Sequence, residues 1–299
     1  MRSPRLKILT WNILEGGMDG RLEGILKQIR SVRADVVALQ ECNGWNHRGS
    51  KLLRLAERTL GMAGFPFWTT HGYQPVVLTK VPGAAAVEHD DQDHFHLGYQ
   101  EIRLPLPGGR TWHFFNTHLN PFVESARVAE IRTLGRAMRP HRNGFCSLTG
   151  DLNSLAEGDT FCGIRMRKRT RVDLNRDRLV RILFDYVGLC GQDGYGDVTN
   201  PTAWLRVPVR IRRMQDRVEL RAEVTSYLKR QGWTDLYRKF HPGEPGYTVP
   251  SRQPFARIDY AWLSPALARR ALSCEVLSGT RLSKLSDHFP LLWEVETGA

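Results

Sequence analysis

Six times along this chain an apolar, strand-like run is flanked by a side chain that can bind a proton, a cation or an anion. That recurrence constrains the fold more than any bulk property. Residues 6–11 run into Asn12, residues 35–40 into Glu41, and residues 111–117 into His118. Residues 145–148 run through Gly150 into Asp151 and Asn153, Asp259 sits within the run 257–263, and Asp287-His288 precede the run 291–295. Asp151 and Asn153, two residues apart, share one side of an extended chain. Gly-Asp-x-Asn is also ordinary turn chemistry, and a strand-terminal Asn or Asp is often a turn former. Eight such groups, each beside an apolar strand, fit a site built where many strands converge.

Helical spacing alternates with these runs. Leu22, Ile25, Leu26 and Ile29 predict a helix over residues 21–32. Residues 50–60 and 122–138 read the same way, with Val128, Ile131, Leu134 and Ala137 on one side of the latter. Strands are also predicted over 73–79 and 98–104, and a helix over 218–231. At 299 residues with 41% hydrophobic content, one domain spanning residues 1–299 is expected.

Residues 157–213 break the alternation and read as an Arg-rich insertion with a helix over 179–189. The net charge is +12, and residues 165–230 hold 14 Arg and 2 Lys against 6 Asp and 2 Glu, so two thirds of the surplus sits in this stretch. Polyanionic partners are therefore worth considering, although arginine usage can also reflect base composition. Arg165, Arg167, Arg169 and Arg171 alternate strictly; on an extended strand all four would share one face, spaced for successive phosphates. Tyr195 and Trp204 lie in the same stretch and suit either stacking or packing.

Five widely spaced cysteines without a Cys-x-x-Cys argue against a disulfide framework and a thiolate zinc site, and point to a reducing, cytoplasmic compartment. The apolar stretch after Arg2, Arg5 and Lys7 is broken by Trp11-Asn12 and Glu15, unlike a signal peptide. No apolar run is long enough to span a membrane. Residues 88–96, rich in Asp and His, read as a solvated acidic loop.

Carboxylates, amides and imidazoles without thiolates suit a hard cation such as Mg²⁺ or Mn²⁺ and a substrate with phosphoryl oxygens, so phosphoester hydrolysis is the natural inference. The ordered set Trp11-Asn12, Gln40-Glu41, Asn116-Thr117-His118-Leu119, Gly150-Asp151-Leu152-Asn153, Arg257-Ile258-Asp259-Tyr260 and Ser286-Asp287-His288 resembles the endonuclease/exonuclease/phosphatase superfamily. The resemblance implies an α/β fold, a four-layer α/β/β/α sandwich of two mostly antiparallel, mixed sheets flanked by helices. It implies that Glu41 binds the divalent metal with Asn12 and Asp287 completing or supporting the shell. Asp151 would deprotonate the attacking water, Asn153 and His288 would contact the phosphate, Asp259 would orient His288, and His118 would be the second imidazole. Asn120 and the four arginines are candidate substrate-binding residues. Gly72-Tyr73-Gln74-Pro75 departs from the Gly-Asn-small pattern of many relatives. A phosphodiesterase acting on nucleic acid is expected, with a small phosphorylated metabolite or a lipid headgroup as the alternative substrate. A non-catalytic binding protein is disfavoured by the completeness of the motif set.

Overall fold

The computed structural model describes residues 4–161, 164–173 and 217–298. The expected helix over 179–189, Tyr195 and Trp204 lie outside them. Sixteen strands and six α-helices are formed among the described residues. One six-stranded sheet has β1 (Arg5–Asn12), β2 (Val36–Gln40), β3 (Ala63–Pro66), β4 (Val76–Thr79), β15 (Ala271–Val276) and β16 (Leu291–Glu296) in the order β15-β16-β1-β2-β4-β3. The second has β5 (Ala85–Val87), β6 (Tyr99–Leu106), β7 (Arg110–His118), β8 (Phe145–Asp151), β13 (Thr234–Asp235) and β14 (Asp259–Leu263) in the order β13-β14-β8-β7-β6-β5. Each sheet has one parallel pair at its centre, β1 with β2 and β7 with β8, and is antiparallel elsewhere.

Period-two alternation divides every central strand between two layers. Ile8, Val36, Ala38, Trp112, Phe114, Ala261 and Trp293 turn inward and form the core between the sheets. There Trp112 meets Trp293 edge to face, with centroids 5.6 Å apart; such pairs add about 0.5–1.5 kcal/mol beyond the area they bury. Leu9, Val37 and Leu39 turn outward against α1 (Arg21–Val32) and α2 (His47–Leu60). Phe115, Cys146 and Leu148 turn outward against α3 (Glu124–Met138) and α4 (Glu223–Arg230). The result is the expected four-layer α/β/β/α sandwich. Two short helices, α5 (Leu236–Phe240) and α6 (Pro265–Ala268), complete it, and no described helix is long and apolar enough to cross a membrane.

Toward the carboxyl ends of the parallel strands the inner layer becomes polar. Gln40 donates to Asn116 Oδ1 across the sheets at 2.8 Å, and Asn116 returns a bond to the Leu39 carbonyl at 3.2 Å. Both amides are fully buried, so this bridge joins the sheets where the hydrophobic filling gives way to the polar end.

Two corrections concern the basic stretch. The expected helix over 218–231 forms only from Glu223 onward, as α4, and the residues before it belong to a strand, β12 (Arg217–Arg221). The chain there pairs with β11 (Arg169–Asp173), a long-range ladder that local periodicity does not reveal. Nor do the alternating arginines form one strand. Arg165 belongs to β10 (Ile164–Arg165), paired with β9 (Thr160–Phe161), whereas Arg169 opens β11. Between them the chain bends, with the Arg167 N–H bonded to Thr170 Oγ1 at 2.8 Å. The side chain of Arg171 lies outside the described residues.

Candidate active site

The two parallel pairs bring four strand ends to one edge of the sandwich. Asn12 is in register with Gln40 on the first sheet, and His118 with Asp151 on the second. β14 runs antiparallel to β8, so its first residue, Asp259, lies opposite Asp151. β16 runs antiparallel to β1, and the loop before it returns Ser286, Asp287 and His288 to the same edge. Ser286 Oγ donates to the Asn12 carbonyl at 2.7 Å and accepts from the His288 N–H at 3.1 Å, while Trp11 Nε1 donates to the His288 carbonyl at 2.9 Å. Trp11 and Ser286 therefore hold the loop in place.

Asp151, 1% exposed, is the centre. Its Oδ2 accepts from Asn12 Nδ2 at 3.2 Å and faces His118 Nε2 at 3.5 Å and His288 Nε2 at 3.8 Å. Its Oδ1 accepts the Asn153 N–H at 2.8 Å. The imidazole separations exceed good hydrogen-bond distance, so both rings aim at the carboxylate without closing on it. Burial pushes the Asp151 carboxyl above its usual range, against the pull of His118, His288 and the Asn153 N–H, which makes it a stronger base.

His288 Nδ1 bonds Asp259 Oδ2 at 2.9 Å, which turns Nε2 toward Asp151. Burial works against the imidazolium, but Asp259, Asp287 and Asp151 outweigh it and hold this histidine well above its ordinary value. It is a fixed cation facing a position where an anion can sit. His118 Nδ1 and Asp259 Oδ1 are buried without partners among the described residues.

Gly150 makes the register possible. Its φ is 131°, and a Cβ there would lie 2.0 Å from the Thr117 carbonyl oxygen, so no other residue can lead Asp151 in beside His118.

On the first sheet, Glu41 leaves β2 with φ 58° and is half-buried. Its Oε1 accepts from Asn12 Nδ2 at 2.9 Å and its Oε2 from the Glu15 N–H at 3.1 Å. Asn12 Oδ1 accepts from the Leu14 N–H at 3.1 Å, so the amide nitrogen, not the oxygen, is turned to both carboxylates. Asn12 thus acts as a bridge between Glu41 and Asp151. Burial, then Glu41, pushes the neighbouring Cys42 thiol well up.

Asp151, Asp259 and His288 offer ligand atoms within 4.8 Å of one another, and Glu41 joins them through Asn12. With His288 held as an imidazolium bonded to Asp259, the carboxylates rather than the ring are left to hold a cation, and oxygen donors of this kind fit a hard divalent cation better than a soft one. Asp287 is beside His288 but not within that group of three.

The remaining expected residues are distributed unevenly. Asn153 spends one amide N–H on the Leu119 carbonyl at 3.0 Å. Asn120 Oδ1 accepts from the N–H groups of Phe122 and Val123, so its oxygen shapes the turn into α3. Arg165, Arg167 and Arg169 are exposed, on or between the short ladders formed by β9 to β12.

Three contributors escaped sequence reasoning. Arg257, 1% exposed, bonds Asp159 at 2.8 and 3.1 Å and Asp235 at 2.9 and 2.6 Å, anchoring the approach to Asp259. Its place within the Asp259 motif was the available signal. Gln74 is fully buried with neither amide atom partnered among the described residues, and its carbonyl accepts from the N–H of Cys42, next to Glu41. Buried Glu130 accepts from the N–H groups of His96 and Asn120 at 2.8 and 2.7 Å.

A buried carboxylate that can take a proton, faced by an oriented imidazolium that can hold an anion, lies on the strand-end edge of a two-sheet sandwich, an arrangement suited to phosphoester hydrolysis. The chain belongs to the Endonuclease/Exonuclease/phosphatase family, whose model matches residues 9–288. Its fold is that of the 3′-5′ exonuclease of Neisseria meningitidis, with TM-score 0.62 and 18% identity over 97% of this chain and 100% of that one. An AP endonuclease from Archaeoglobus fulgidus aligns with TM-score 0.57 and 17% identity, over 96% of this chain and 98% of that one. The mannosyl-6-phosphatase of Bacteroides thetaiotaomicron does so with TM-score 0.56 and 16% identity, over 96% and 98% respectively. No curated protein sequence matches the chain.

Proposed function

We propose that this phosphoester hydrolase is a divalent-metal-dependent phosphodiesterase acting on nucleic acid, with Mg²⁺ or Mn²⁺ held by Glu41 and Asp287. The chemistry rests above all on Asp151, buried between His118 and His288 with a base-like carboxylate. Asp151 aligns the attacking water and takes its proton. His288, held by Asp259, donates from Nε2 to a phosphoryl oxygen, and His118 and the Asn153 amide donate from the other side. When bound, the cation neutralises charge developing on the phosphoryl oxygens. The buried, unpaired thiols of Cys42, Cys146 and Cys274 suit a reducing, cytoplasmic compartment.

Nucleic acid is favoured by a cavity of about 430 Å³ beside α3, lined by Arg132, Lys168, Arg169, Arg221 and Arg230 against only Glu124 and Glu223. Arg169 and Arg221 oppose each other in the ladder. Glu223 lies 3.7 Å from both Arg169 and Lys168, yet the lining as a whole keeps more cations than carboxylates, which suits a phosphate backbone. The exonuclease and the AP endonuclease among the structural neighbours agree with this choice.

The test is a panel of plasmid DNA, single-stranded DNA, RNA, sugar phosphates, inositol phosphates, nucleotides and phospholipids, each with Mg²⁺ and with chelator. Metal-dependent cleavage of a polynucleotide is expected, nearly lost in Glu41→Ala. Turnover of a small phosphomonoester alone would replace the substrate assignment, and full activity under chelation would overturn the mechanism.

A further inference from the structure

A second cluster of ligand atoms lies on the outer face of the second sheet. Glu101 on β6 and His113 on β7 point away from the inter-sheet core, to which their neighbours Ile102, Trp112 and Phe114 belong. His141 reaches them from the turn after α3, at residues 139–141. His113 is five residues from His118 along β7, about 17 Å at strand rise, and faces the opposite side. We propose that Glu101, His113 and His141 form a binding site for a transition-metal dication of the Zn²⁺ or Co²⁺ type, separate from the hydrolytic site.

One ligand atom from each of the three lies within 4.8 Å of the others. A tetrahedral Zn²⁺ with ligand bonds near 2.0–2.1 Å holds its donors about 3.3 Å apart, so completing the site requires the half-exposed His141 ring to turn out of its stack on His113 until the two in-plane lone pairs converge. His113 Nδ1 already lies 2.7 Å from Glu101 Oε1, and the rings of His113 and His141 stack with centroids 3.4 Å apart at an interplanar angle of 11°. No hydrogen bond engages the His141 ring among the described residues, so its nitrogens are uncommitted. His89 Nε2 lies 2.8 Å from Glu101 Oε2, the arrangement by which an outer imidazole orients a ligating carboxylate.

Two imidazole nitrogens and one carboxylate select borderline metals over Mg²⁺, which prefers an all-oxygen shell. The cation would tie the turn after α3 to β6 and β7.

The full-length protein, stripped by chelator and then saturated with Mg²⁺, is titrated with Co²⁺ by visible absorption and with Zn²⁺ by calorimetry. One equivalent of Co²⁺ or Zn²⁺ is expected to bind in the wild type and equally in Asp151→Asn. Affinity should fall at least about 100-fold in His141→Gln, whose half-exposed position preserves the fold, and in His113→Gln. Mg²⁺-dependent hydrolysis by His141→Gln should match wild type, which separates this site from the proposed reaction. No tight binding to wild type, or identical titrations of wild type and His141→Gln, would overturn the proposal and leave Glu101 as a buried carboxylate paired with two imidazoles.

Discussion

At the residue scale the site depends on a few bonds that leave their partners poised and unfinished. His288 is turned by one bond to Asp259, and its other nitrogen lies 3.8 Å from Asp151, too far for a good hydrogen bond, so Nε2 keeps its N–H for a phosphoryl oxygen or a water beside the pair. Asp151→Asn removes the proton acceptor and His288→Ala removes the donor. Each should lower turnover by at least about 100-fold, the usual effect of deleting one group aimed at developing charge. Asp259→Asn keeps the shape but loses the carboxylate that favours the imidazolium. A loss of an order of magnitude or more is expected with an unchanged circular dichroism spectrum; wild-type turnover in this variant would refute the pairing. Asp151, Asp259 and His288 were legible in the sequence because each flanks a strand. The role of Asn12 was only half legible, because the direction of its amide is set by the Leu14 N–H and no spacing rule reports it.

At the element scale, α3 packs Ile131, Leu134 and Met138 on the second sheet, and it also controls two loops. Glu130 on this helix, 2% exposed, holds the loops bearing His96 and Asn120 through their N–H groups. Burial raises its carboxyl, outweighing those bonds and the nearby His118 and Arg127. A folded-state pKa above the unfolded one means that its stability contribution is full below about 4.5 and is lost as pH rises through the raised value. The stability difference between wild type and Glu130→Gln, from urea unfolding, should therefore shrink from pH 4.5 to pH 7; growth of that difference would show the opposite shift. α1 could be read from its helical periodicity and β2 from its continuous apolar, β-branched run. β3, β15 and β12 could not, because short strands at an edge or in an excursion exist only through a partner distant in sequence.

At the scale of the molecule, the +12 charge is concentrated in a stretch that joins the sandwich at β9 and at α4. Arg165 and Arg169 belong to different two-stranded ladders, so a strand of nucleic acid, the proposed substrate, would meet them separately. Replacing Arg165, Arg167, Arg169 and Arg171 together by Ala should weaken polynucleotide binding at every sequence. The slope of log affinity against log salt should become shallower by about 0.7–0.9 for each phosphate that is no longer neutralised. Turnover of a small chromogenic phosphodiester should stay nearly unchanged. An unaltered slope would remove this stretch from the binding surface.

The helices α1 and α3, the strands β1, β2, β7, β8, β14 and β16 with the polar group beside each, and the membership of the family were decided by the sequence, because local periodicity and short motifs are local properties. The meeting of Asn12 from one sheet with Asp151 from the other was decided only by tertiary structure. So were the break in the arginine strand and the convergence of Glu101, His113 and His141. These depend on which strands pair and which faces turn inward, and that choice is made by burying two sheets against each other over long sequence separations.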